Sequence, residues 1–535
     1  MSKQPPWDNP ARRRSEPSTE DFLLADAEIS KHTHAIRKAE SRIRELQQLI
    51  GEAQREVQHH EHAIESVRSY LTLARRLPEE LYTKIFEFCV AADPRPLLPL
   101  KLAHVCASWR HAALNSPTLW TRIRVDASKN RRPEYIRHFA THARQMPLYI
   151  SLTVWRDETA VDDITAALLP YWSQCKSFAL DVLSFNCFRC LINTFNLPAP
   201  LLNDVDLHVG SAVTTIDEGD DIPRIFDLPV LLPNCGNISL IKLSVPAMIT
   251  PECIPETLRG LHITLDQPDG IPFSASAVLA ILEERQNLRA FSMHTDARVT
   301  SLPNDATVNA ENLEYLDLEM DPTLFAFLEN LIAPKLSHLH LHNRVQLAFG
   351  HAETPTSRVL RSLIERSNVA MRSLFIHDCD LNQPTARFIC ENSPFLETLY
   401  LHDTDVDDAF LWDLAKRDGS GRLTMCPSLK KLELRWASRV SGRALVDFVR
   451  ARNGPVYPPF ADEEKIEEIV VISCPFVGDQ DVIDIASMTK CRLSSRPGDA
   501  CRKSDGCCAN AQYKMRFRFN HAEALRNRRY PGLLL

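Results

Sequence analysis

Apolar residues return at every seventh position from Phe22 through Ile29, Ile36, Ile43, Ile50, Val57 and Ile64 to Leu71. A second series, Ala25, His32, Ala39, Leu46, Ala53, His60, Val67 and Ala74, falls three positions after the first. That spacing puts both series on one side of a helix, and residues 21–75 are predicted to form a single long one. The β-branched residues of the first series favour two parallel strands of coiled coil. The second series is thin, mostly alanine and histidine, so the stripe is narrow. Two readings stand side by side. The chain self-associates through residues 22–74, or the helix folds back on the chain and stays partly solvated.

The period changes after Arg76. In "LPEELYTKIFEFC" the residues Leu81, Ile85, Phe88 and Cys89 share one face, with Phe86 adjoining. Pro78 suits a helix start, where its missing N–H would be unpaired anyway. Glu79 and Glu80 then fall in the first turn, where the helix dipole favours them. A proline-rich break, "ADPRPLLP", is followed by Leu102, Val105, Cys106, Trp109 and Ala113 at helical spacing. "NSP" stops that helix, and "TLW" supplies a short apolar clasp. So small a helical unit, over 76–124, buries little surface alone and is expected to leave apolar side chains for a partner.

Farther on, L-x-x-L-x-L recurs: "LNDVDL" from Leu202, "ISLIKL" from Ile238, "LRGLHI" from Leu258, "LRAFSM" from Leu288, "LEYLDL" from Leu313 and "LSHLHL" from Leu336. "MRSLFI" from Met371, "LETLYL" from Leu396, "LKKLEL" from Leu429 and "IEEIVV" from Ile466 continue it. Helical stretches such as "SAVLAILEERQ" lie between, and "MPLYISLTV" starts the array. Period two turns Leu316 and Leu318 inward and Tyr315, Asp317 and Glu319 to the other face. In the same register one outward column reads His294, Glu319, His342, His377, His402, Arg435, and neighbouring strands would hold these about 4.8 Å apart.

Composition narrows the function. The chain has 535 residues and a net charge of −7, too mild to argue for nucleic acid or an anionic membrane as partner. No apolar run reaches the roughly 18 residues of a membrane span, and the first twenty residues lack the apolar core of a signal peptide. They read as a disordered leader. Fifteen cysteines scattered in apolar segments suit reduced thiols in the cytoplasm or nucleus. "CFRC" at Cys187 and Cys190 has no second pair, and a straight column of histidines is not a tetrahedral cage, so neither a metal nor another cofactor is expected. Residues 491–535 carry ten Lys and Arg against three Asp and Glu, a basic cysteine-containing tail. It touches an acidic partner, caps the array through "YKMRFRF", or is solvated.

Leu77–Pro78, Glu80–Leu81, Ile85–Phe86, Val105–Cys106, Trp109–Arg110, Ala113, Pro117, Leu119 and Trp120 together resemble the F-box. A heptad helix ahead of it is similar to the arrangement in fungal F-box proteins. The resemblance implies a Skp-family adaptor as partner and, through it, a cullin-based ubiquitin ligase. It makes Leu77, Pro78, Leu81, Ile85, Val105 and Trp109 adaptor contacts or their support, unless they pack on the rest of the chain. The later pattern resembles leucine-rich repeats over 145–490. Cys379 and Cys474 match the cysteine position of that consensus, which Thr404 and Ala437 fill elsewhere.

The expected fold is therefore α/β: a long heptad helix, a small three-helix F-box, then an irregular solenoid of parallel strands with helices on its convex side. On the concave face His342, Phe375, His377, Tyr400, His402 and Arg435 are the candidate contacts to a target protein, the alternatives being a metal site or a solvated face. No motif places a catalytic nucleophile, base or phosphate loop. The expectation is a non-catalytic substrate-recognition subunit. The alternative is a coiled-coil and repeat scaffold with no part in ubiquitin transfer.

Overall fold

A computed structural model of the chain describes Glu16 and residues 18–71, 77–92, 97–127, 133–155, 161–210, 226–265, 273–295, 299–301, 307–343, 356–379, 381–404, 406–454 and 464–494. Most of the leader (1–15 and 17), the middle of the proline-rich break, and the tail from 495 with Cys501, Cys507, Cys508 and "YKMRFRF" lie outside the described residues, while the last two leader positions, Thr19 and Glu20, already belong to a helix. The chain divides into two compact units, residues 1–88 and 89–535.

The first unit holds α1 (Thr19–Leu71), an unbroken 53-residue helix. Its start is a reciprocal cap. The Asp21 N–H donates to Ser18 Oγ at 3.3 Å, and the Ser18 N–H donates to Asp21 Oδ2 at 3.1 Å. The heptad side chains from Phe22 to Ile64 stay exposed along it. The helix α2 (Glu79–Ala92) begins where expected. The Pro78 carbonyl accepts from the N–H groups of Leu81 and Tyr82, so proline stands just ahead of the first turn. Tyr82 and Phe86 are buried and lie 6.0 Å apart, ring centre to ring centre.

In the second unit α3 (Leu98–Ala103) and α4 (Ala107–Asn115) lead through a short 3-10 turn, Pro117–Trp120, into a sheet. Among the described residues, fourteen strands of one sheet follow one another in chain order. They are β1 (Arg122–Asp126), β2 (Leu148–Val154), β3 (Cys175–Val182), β4 (Asp204–Val209), β5 (Leu240–Ser244), β6 (Gly260–Leu265) and β7 (Ala290–Thr295). Then come β8 (Tyr315–Met320), β9 (His338–Asn343), β10 (Ser373–His377), β11 (Thr398–His402), β12 (Lys431–Arg435), β13 (Glu468–Ile472) and β14 (Lys490–Ser494). Every neighbouring pair is parallel. Parallel neighbours need a crossover, and several of the links carry helices. Among these are α5 (Pro133–Ala143), α6 (Val161–Leu168), α7 (Phe185–Thr194), α8 (Ala275–Glu284), α9 (Thr356–Ser367), α10 (Gln383–Glu391), α11 (Asp408–Ala415), α12 (Gly442–Asn453) and α13 (Asp479–Ala486). The unit is an α/β solenoid.

The leucines make its spine. Leu316, Leu339, Leu374, Leu399, Leu432 and Ile469 pair rung to rung, as do Leu318, Leu341, Ile376, Leu401, Leu434 and Val471. All are buried, and so is the opening residue of every repeat from Leu202 to Ile466. Four successive rungs leave the sheet alike. Asp378, Asp403, Trp436 and Ser473 each take a positive φ directly after the last strand residue. The first three donate their N–H to the final carbonyl of the next strand, at His402, Arg435 and Ile472. One residue on, the Cys379 and Cys474 thiols reach back to the carbonyls of Leu341 and Leu434 on the preceding rung.

The array starts one rung ahead of residue 145. Ile123 and Val125 of β1 pair with Ile150 and Leu152 of β2. It also runs past residue 490, because β14 reaches Ser494. Cys187 and Cys190 share α7 but not a site: the first is buried and the second exposed. Among the described residues no helix is long and apolar enough to cross a membrane.

Candidate functional site

Two surfaces carry the candidate residues. The first is on α2. Leu81 and Ile85 are 48% and 46% exposed, and Phe88, one further turn along, is 75% exposed. Positions i, i+4 and i+7 stack on one helix face, while Tyr82 and Phe86 turn another face inward. Pro78 is exposed and Leu77 half-buried at the head of the helix. Phe88 falls on the face that the sequence pattern defines, yet the resemblance did not single it out. In the second unit Val105 is 60% exposed, just before α4, and Trp109 is half-buried within it. The loop that offers Val105 is held by Arg110, whose Nε donates to the Ala103 carbonyl at 3.0 Å.

The second surface is the face of the sheet opposite the leucines. The register sets His294, Glu319, His342, His377, His402 and Arg435 side by side on β7 to β12. Next to it runs Ser292, Asp317, His340, Phe375, Tyr400 and Glu433. Glu319 is almost wholly buried and lies 3.5 Å from both His294 and His342. Burial disfavours the charge on Asp317, but His294, His340 and Ser292 outweigh it and hold its pKa below the ordinary value. Burial, and then Asp317, push the Tyr315 hydroxyl up to about 12. That hydroxyl lies 3.1 Å from His340 Nδ1. At the far end Lys431, Lys490 and Arg492 surround Glu468 and overcome its desolvation, so its pKa is lowered.

Two of the six expected contact residues are not on the surface. His402 is 0% exposed and Tyr400 6%. Rings one strand apart cover one another. His377 stacks on His402 at 3.9 Å, Phe375 stacks on Tyr400 at 5.3 Å, and the Arg435 guanidinium lies over the Tyr400 ring at 5.1 Å. The half-buried His342, Phe375, His377 and Arg435 are the ones left for a ligand to reach. Arg435 is itself engaged, at 2.7 Å from Glu433. Among the described residues no group of three or more His, Cys, Asp or Glu is placed to hold a metal ion.

Residues 74–126 match the F-box-like family model. The chain thus carries an F-box-like domain that spans α2, α3, α4 and β1. No curated protein matches the chain. Among solved structures, a chain from the crystal structure of the Rad7 and Elc1 complex in yeast is similar, with 14% identity over 72% of this chain and 95% of that one. The TM-score is 0.34, too low to place the two in one fold.

Proposed function

We propose that the chain is a substrate-recognition subunit of a Skp–cullin–F-box ubiquitin ligase and is itself non-catalytic. The observation that carries this reading is the exposed face of Leu81, Ile85 and Phe88 inside a matched F-box-like domain. Three large apolar side chains on one short helix are what a protein partner covers, since contiguous apolar surface seldom stays bare. The partner in this reading is a Skp-family adaptor, and Val105 and Trp109 add to the contact. The solenoid, read as an irregular leucine-rich-repeat array, holds a target protein through His342, Phe375 and His377. Ubiquitin transfer then gains from proximity, as the target's lysines are held near a charged conjugating enzyme. The chain would act in the cytoplasm or nucleus, where such ligases assemble.

Co-expression with a Skp adaptor tests this. A stable complex is expected, and Leu81→Asp with Ile85→Asp abolishes it. A wild-type chain that captures no adaptor removes the ligase reading. For the target, Phe375→Ala with His377→Asp should lose partners that the wild type captures when the proteasome is inhibited. Unchanged capture removes this face from recognition.

A further inference from the structure

The large heptad side chains of α1 are exposed from Phe22 to Val67, with Ile36, Ile50 and Ile64 each more than half accessible. Lone helices draw most of their stability from packing an apolar face, so the stripe calls for an occupant. We propose that it is a second copy of α1, running antiparallel, centred between Ile43 and Leu46.

Size complementarity carries the direction. A parallel pair stacks like on like, so layers of facing isoleucines would alternate with layers of facing alanines at Ala25, Ala39 and Ala53. The first kind holds two helices apart and the second draws them together, whereas one straight pair has one interaxial distance of about 8–10 Å. Parallel pairing also sets His32 on His32 and His60 on His60. In the antiparallel register each layer takes one residue from each series. Ile36 faces Ala53 of the other copy, Ile50 faces Ala39, and Ile64 faces Ala25. His32 and His60 then face Val57 and Ile29 rather than themselves. Every layer but the central Ile43–Leu46 pair and the terminal Phe22–Val67 pair joins a large side chain to a small or polar one.

Charge points the same way. In a parallel coiled coil a residue preceding the first series meets the one five positions on in its partner. That opposes Asp21 to Asp26 and Glu56 to Glu61, carboxylate to carboxylate. The antiparallel register instead brings Asp26 to Arg68 of the other copy, twice by symmetry. β-branched residues at the first series alone favour a parallel pair; the alanines and the flanking charges reverse that preference. This inference is independent of the ligase reading, because it concerns α1 and no adaptor contact.

The test uses the full-length chain at tens of micromolar. Sedimentation equilibrium should give a dimer. A photo-crosslinking benzoylphenylalanine at position 29 should join the peptide around His60 of the other copy; a crosslink to the peptide around position 29 means parallel strands and overturns the proposal. Asp26→Arg should raise the dimer dissociation constant about tenfold, since two attractions become repulsions. Adding Arg68→Asp should restore it. In a parallel pair Asp26→Arg would instead relieve the clash with Asp21 and tighten the dimer. A monomer throughout, or tightening, overturns the proposal.

Discussion

Trp120 donates its indole N–H to the carbonyl of Ala113 at 2.8 Å. Both residues are fully buried. The bond runs from the last turn before β1 back to α4, so the end of the F-box-like domain and the first rung of the sheet share one anchor. The ring then meets Phe139 of α5 edge-on at 5.1 Å, with His138 and His142 against its other edges.

Removing that anchor should destabilise the second unit strongly. Trp120→Ala leaves a cavity and takes one of two donors from the Ala113 carbonyl, which keeps the Ser116 N–H at 3.4 Å, a loss of about 3–5 kcal/mol. Trp120→Phe keeps most of the packing and gives up the hydrogen bond, for about 1–2 kcal/mol. Urea denaturation of the two variants checks the order. A Trp120→Phe variant as stable as the wild type would mean that the indole N–H contributes nothing.

Arg452 makes a second structural prediction. Its side chain is 3% exposed, and its guanidinium donates to the carbonyls of Leu414, Met425, Cys426 and Pro427 at 2.8–3.3 Å. The planar fork closes the segment between α11 and β12 onto α12. Arg452→Met should lose about 3 kcal/mol by leaving buried acceptors unmet. Arg452→Lys should rescue little, since a single ammonium does not reproduce the fork. Thermal melts of both variants decide this, and full rescue by lysine would mean that charge alone matters.

How much of this was legible in the sequence depends on the interaction concerned. The column from His294 to Arg435 follows from period two and from the motif starts, because backbone pairing fixes register once both are known. The burial of Tyr400 and His402 does not follow. It arises from rings on two adjacent strands stacked on one another, with the Arg435 guanidinium over Tyr400 from a third, and side-chain orientation has no signature in a residue period. β1 carries no such signature, because "RIRVD" offers only Ile123 and Val125 inward and no leading leucine of its own. The α2 face was readable as a face. The motif does not single out Phe88, although its position on the helix puts it on the same face.

Phe88 should behave as a binding residue and not a stability residue. It is 75% exposed, so Phe88→Ala removes almost no packing within the chain. If an adaptor covers it, as the proposed function requires, the variant should bind at least about tenfold more weakly, since buried aromatic anchors are often worth 2 kcal/mol or more at interfaces. Tm should stay that of the wild type. Titration calorimetry with a purified Skp adaptor, beside a melt of each variant, separates the two effects. Unchanged affinity would move the contact off this turn of α2.

Acid should weaken the solenoid before it reaches the range of ordinary carboxylates. Burial, aided by His294, lowers the His262 pKa below 6.5. Burial also lowers that of His340, with Asp317 opposing and His338 assisting. In the unfolded chain both imidazoles take a proton near the ordinary value, while in the folded chain they do so only at lower pH. Between those points the unfolded state binds more protons, so stability falls as pH falls. Asp317 adds no slope there. Its pKa is lowered from 3.8, so its contribution is fully present above that value and is lost only as pH drops through the lower, folded one. The expected outcome is a Tm that declines from pH 7.5 to pH 5.5. The double variant His262→Asn, His340→Asn should flatten that decline in part, leaving the share of His142, whose pKa burial and the neighbouring His138 and Arg144 also lower. Melts across that range measure both slopes. Equal slopes would place the acid sensitivity outside these two histidines.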